Sequence, residues 1–121
     1  MLRTLAAIGV GAVLGAWARY GFALALNRPG QALPLGTLAA NLAGGLAIGA
    51  ALGALEGRAI APEWRLFIVT GFLGALTTFS TFSAESFALM QRGQAGAALL
   101  HSAAHLFGSL LATWIGWRLA R

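Results

Sequence analysis

Cysteine, lysine and aspartate are all absent from the 121 residues. Without cysteine the chain has no disulfide framework, no zinc–thiolate cluster and no thiol nucleophile. Its acids number three, Glu56, Glu63 and Glu85, all eight basic residues are arginines, and charged residues make up only 9% of the whole. A soluble domain covers its core with roughly a quarter charged residues. With 59% hydrophobic residues and a mean hydropathy of +0.78, the apolar surface left over must face lipid. The net charge of +5 does not point to nucleic acid, because the arginines are scattered between apolar runs as flanking anchors. No nucleophile, base and orienting group can be assembled into an enzyme's set.

A spanning helix needs about 20 apolar residues. Four stretches qualify: residues 4–26, 35–55, 66–90 and 95–115. The connections at 27–31, 56–65 and 91–94 each carry charge and turn formers. Trp64, Trp114 and Trp117 lie near predicted ends, where amphipathic rings favour the headgroup region. This predicts an all-α membrane protein, residues 1–121 forming a single four-helix transmembrane domain. Arg3, an apolar run and Ala16-Trp17-Ala18 also resemble a signal peptide, but the run continues past Arg19 to Leu26. Arg3, Arg58, Arg65, Arg118 and Arg121 fall on the side of the termini, Arg28 and Arg92 on the other. That is a weak bias toward cytoplasmic termini and leaves insertion both ways round open.

Seventeen glycines exceed the usual ~7%. In a membrane, small residues let helix backbones approach closely. Gly11, Gly15 and Arg19 form one i, i+4 row; Thr37, Asn41, Gly45, Gly49 and Gly53 form another. Polar groups at membrane depth are expensive and usually face protein or a water-filled path. Arg19 reads either as a snorkelling anchor or as a fixed positive charge that gathers anions, and Asn41 as interhelical glue or a pore donor. On the fourth helix, His101, His105, Ser109 and Thr113 share one face. Two histidines four apart suit a metal, yet no carboxylate or cysteine is placed by the sequence to complete the site. A hydrogen-bonding track is the expectation.

The third segment is the most informative. Residues 77–83 are all hydroxylic or aromatic in mid-span, just after Gly74. Hydroxyls compete for backbone hydrogen bonds, so a helix break is expected within 74–78, with a new helix starting under a Thr or Ser cap. Freed backbone at membrane depth survives only inside protein or along a cavity, and its carbonyls can coordinate a cation. Phe79 and Phe82 fall on one side of the new helix. A ring edge is positive, so two edges can contact a small dehydrated anion without trapping it. Glu85 continues that spacing and reads as an arginine partner near the helix end.

At these residues the sequence resembles the Fluc (CrcB) family of fluoride channels. The resemblance rests on Gly74, Thr77, Phe79, Phe82 and Glu85 in the third segment. Gly11, Gly15, Arg19 and Tyr20 in the first segment, with Gly36, Thr37, Asn41 and Gly44 in the second, accompany them in the same order. It implies a channel for passive fluoride export that lowers cytoplasmic toxicity, in a bacterial inner membrane. It also implies an antiparallel, dual-topology homodimer with two pores. Phe79 and Phe82 would contact fluoride, Asn41 would donate to it, and Ser80, Thr81 and Ser109 would lie near its path. Arg19 would sit in the vestibule, and carbonyls of Gly74 and Thr77 would hold a structural sodium ion. Val10, Gly45, His101 and His105 depart from the family pattern, and the histidines imply pH-dependent conduction. A four-helix drug exporter would need a carboxylate in its first helix, where this chain has Arg19. An accessory subunit would account for the glycine rows but not for the Thr/Ser/Phe cluster.

Overall fold

The computed structural model describes residues 1–29, 31 and 33–121. Gly30, which the sequence places in the first connection, lies outside the described residues, as does Ala32. The chain runs through α1 (Leu2–Leu26), α2 (Leu35–Ala54), α3 (Pro62–Arg65), a π-helical stretch (Leu66–Leu73), α4 (Gly74–Leu76), α5 (Phe79–Gln91) and α6 (Ala95–Ala120). Among the described residues, four helices are long and apolar enough to cross a membrane: Leu2–Leu26, Leu35–Ala54, Pro62–Gln91 and Ala95–Ala120. At 1.5 Å per residue, even the 20-residue span covers about 30 Å, the thickness of the hydrocarbon core.

Two boundaries differ from those expected by more than two residues. The third span begins at Pro62 rather than residue 66, because proline's fixed φ and missing N–H suit a first helical position. The fourth continues to Ala120, five residues past the end of its apolar run. Nothing stops the backbone there, and the polar tail is usefully employed. Arg118 lies over the Trp114 ring at 6.0 Å, Arg121 over Trp117 at 4.7 Å, and Arg121 Nε is 3.6 Å from Glu56, two residues beyond α2. Between α5 and α6 the chain reverses through Gly93, whose φ of 72° only glycine adopts freely. Its N–H donates to Met90 and that of Gln94 to Leu89, which closes α5 in a Schellman motif.

The packing is inside out compared with a soluble bundle. The buried apolar cluster is small, Ala40, Leu73 and Leu76, while Leu99, Leu110 and Leu119 are each at least 60% exposed around α6. Small residues carry the helix contacts instead. A Cβ added to Gly45 would lie 2.9 Å from the Ser109 carbonyl, one on Gly49 would overlap the Thr113 carbonyl, and one on Gly53 would lie 2.6 Å from that of Trp117. So three glycines spaced four apart on α2 meet three carbonyls spaced four apart on α6. Gly11 and Gly71 make a similar approach between α1 and the π-helical stretch.

Gly49 sits mid-row with backbone, not a flexible side chain, against it. Gly49→Val should therefore force α2 from α6 and cost about 1–3 kcal/mol or more of overpacking. The expected readout is a lower thermal aggregation temperature in detergent. A melting profile equal to wild type would count against the seam.

Candidate functional site

The site is built around two extended residues. Thr77 (φ −82°, ψ 153°) and Thr78 (φ −149°, ψ 116°) separate α4 from α5 at membrane depth. The Thr77 N–H keeps its helical bond to the Leu73 carbonyl, and both backbone groups of Thr78 are satisfied from α2. The Thr78 N–H donates to Asn41 Oδ1 at 2.8 Å, and Asn41 Nδ2 donates back to the Thr78 carbonyl at 3.1 Å. Thr78 Oγ1 caps α5 by accepting from the Thr81 N–H at 3.1 Å, and it donates to Thr81 Oγ1 at 3.0 Å. Thr77 Oγ1 folds back onto the Leu73 carbonyl at 2.9 Å.

These bonds have a consequence for the carbonyls. In an uninterrupted helix the Thr78 N–H would donate to Gly74 and the Thr81 N–H to Thr77. Both are diverted to side-chain oxygens. The carbonyls of Gly74 and Thr77 thereby lose their helical donors.

The two-way pairing with Thr78 also fixes which end of the Asn41 amide is which. Its remaining N–H faces His105 Nδ1 at 3.0 Å. Because that nitrogen accepts, neutral His105 carries its proton on Nε2. Neither N–H of Asn41 is left unengaged.

Phe79 and Phe82 meet edge to face, with centroids 5.3 Å apart and planes at 68°. Phe82 also stacks on His105 at 4.7 Å and on His101 at 5.7 Å. Its orientation is thus set by α6, whereas Phe79 is 79% exposed. A cavity of about 690 Å³ opens beside these rings, lined among others by Asn41, Thr78, Phe79, Phe82, His105 and Ser109. Its walls are mostly apolar, with Gly74 and Thr77 at the rim of the helix interruption.

The remaining site residues named from sequence lie elsewhere. Ser80 and Thr81 are exposed on the first turn of α5 and are not among the cavity's lining residues. Arg19 is half-buried on α1, in line with buried Gly11 and Gly15, and does not line the cavity. His101 is buried behind Phe82.

Glu85 requires a correction. It does not pair with an arginine. Its Oε1 accepts from Thr37 Oγ1 at 2.5 Å, and its Oε2 stands 3.3 Å from His101 Nε2. His101 Nδ1 in turn meets Ser86 Oγ at 2.9 Å, and Ser86 meets Ser102 at 3.2 Å. The reading that no carboxylate lies near the two histidines is therefore overturned. Thr37, Ser86 and Ser102 join the site through contacts that residue order alone does not disclose. The signal for Thr37 was its place one turn before Asn41 on the α2 row.

Comparison with known proteins supplies an independent view. The family model for CrcB-like protein, Camphor Resistance (CrcB), matches residues 6–117. The fluoride-specific ion channel FluC of Ralstonia nicotianae is 57% identical over 111 residues, covering 91% of this chain and 88% of that protein. Its namesake from Cupriavidus necator is 56% identical over 111 residues, with the same coverage. The one from Aromatoleum aromaticum is 52% identical over 112 residues, covering 92% of this chain and 86% of that protein.

Proposed function

Since this chain belongs to the CrcB family, we propose that it is a multi-pass membrane channel that conducts fluoride passively and selectively. It is a transporter rather than an enzyme. In a bacterial inner membrane such a channel lowers cytoplasmic fluoride: HF enters, dissociates in the less acidic cytoplasm, and the trapped anion leaves. The observation that carries this reading to particular residues is the Asn41-held interruption at Thr77 and Thr78, which sets Phe79 and Phe82 beside the cavity.

Fluoride is small and strongly hydrated, so a path for it must replace water without binding too tightly. Positive ring edges at Phe79 and Phe82 suit that demand better than a fixed ammonium would. Asn41 offers the ion the N–H that otherwise engages His105. Ser80, Thr81 and Ser109 lie along the approach, Arg19 raises the local anion concentration, and His101 and His105 back the Phe82 ring.

The working unit in this reading is an antiparallel homodimer of two insertion orientations. The exposure of Phe79 and of Gly74, both apolar and both at the cavity, supports a second copy as the missing wall. The carbonyls of Gly74 and Thr77 fit a sodium ion at that interface, since their helical donors are diverted and carbonyl oxygen suits a hard cation. Bound there, sodium would supply a fixed positive charge between the interrupted helices.

The test is fluoride efflux from liposomes holding the purified protein, read with a fluoride electrode against a chloride control. Rapid fluoride release with negligible chloride release is expected. No fluoride release from well-folded protein would overturn the reading in favour of a non-conducting subunit.

A further inference from the structure

Among the described residues, three buried side-chain atoms have no hydrogen-bond partner: Glu85 Oε2, His101 Nε2 and His105 Nε2. They belong to neighbouring side chains. Ligating atoms of Glu85, His101 and His105 all lie within 4.8 Å of one another, and both histidines are at least 96% buried. Glu85 Oε2 and His101 Nε2 face each other at 3.3 Å without hydrogen-bond geometry, and buried polar atoms so placed, with a third beside them, leave room for an ion to satisfy all three. We propose that Glu85, His101 and His105 form a binding site for a first-row divalent cation of the zinc type, with two imidazoles and one carboxylate as ligands.

The donor chemistry selects the class of ion. Imidazole suits zinc and its first-row neighbours, whereas magnesium and calcium prefer oxygen throughout. Zinc holds nitrogen and carboxylate oxygen at about 2.0–2.1 Å, so two ligands on a tetrahedral centre stand about 3.3–3.4 Å apart. Glu85 Oε2 and His101 Nε2 already do, at 3.3 Å. Both are also held from behind, Glu85 by Thr37 and His101 by Ser86, the outer support that metal-bound groups rely on.

His105 is the weaker third ligand. Asn41 donates to its Nδ1, so its Nε2 carries the proton. It joins by releasing Asn41 and shifting that proton from Nε2 to Nδ1. A fourth position would stay open to water or an anion.

The experiment is equilibrium dialysis of untagged, full-length protein in detergent against Zn²⁺ with excess Mg²⁺, which does not depend on fluoride conduction. One zinc per chain is expected. Glu85→Gln and His101→Gln should each weaken binding by about 100-fold, and His105→Gln and Ser86→Ala by about tenfold. Co²⁺ in place of zinc should give the visible absorption of a tetrahedral centre. No zinc retained by folded wild-type protein would overturn the site, as would retention unchanged in all four variants or a six-coordinate Co²⁺ spectrum. The wild-type stoichiometry and the Co²⁺ spectrum decide the matter even where a variant fails to fold.

Discussion

Replacing Phe82 by isoleucine should silence fluoride efflux, with a fall of at least about 100-fold and a size-exclusion profile unchanged from wild type. The side chain that remains is apolar and fills much of the space, so folding survives; what goes is the polarised ring edge. A fluoride ion that has shed water then meets a hydrocarbon wall. At tenfold per 1.36 kcal/mol, the expected loss corresponds to about 2.7 kcal/mol of barrier, within reach of a desolvated electrostatic contact. The ring has a second duty, since His101 and His105 both stack on it. Phe82→Tyr, which keeps the ring and its stacking, should therefore conduct far better than Phe82→Ile. Equal efflux from wild type and the isoleucine variant would remove the ring edges from the mechanism.

Asn41→Ala should do comparable harm by a different route. Three bonds are lost together: those to the Thr78 N–H, to the Thr78 carbonyl and to His105. The substitution leaves two backbone groups unsatisfied at membrane depth. Each buried group left unpaired costs about 1–3 kcal/mol, so a destabilisation of about 2–6 kcal/mol is expected. Efflux should vanish and thermal stability should drop with it, in contrast to Phe82→Ile. Full stability in Asn41→Ala would mean that water takes over the clamp, and the alanine variant's flux would then report on ion contact alone.

Much of this architecture could be read from residue order. The four apolar runs, the small-residue rows and the hydroxyl–aromatic cluster at residues 77–83 all lie within single segments, where periodicity speaks directly. What could not be read depends on which helices meet. Thr37 and Glu85 stand 48 residues apart, Asn41 and Thr78 stand 37 apart, and no spacing rule connects positions across spans. Glu85 shows the cost most clearly. Beside abundant arginine an acid near a helix end suggests an ion pair, yet the tertiary fold turns it toward Thr37 and His101. The tail of α6 escapes the hydropathy pattern for another reason: hydropathy falls after Ile115, but nothing in residues 116–120 ends a helix.

The seam between α2 and α6 bears on how finely the polar pieces are gauged. Asn41 stands on one of these helices and His105 on the other, 3.0 Å apart. Below them the spacer is glycine against carbonyl oxygen, with no rotamers to absorb error. Ordinary cores set distances through side chains that yield by a few tenths of an ångström. Here the closest approaches are backbone to backbone, like two machined faces clamped without a gasket. A site for the smallest halide has little use for adjustable fit, and thickening the seam by one methyl group would widen its mouth as surely as altering a residue that lines it.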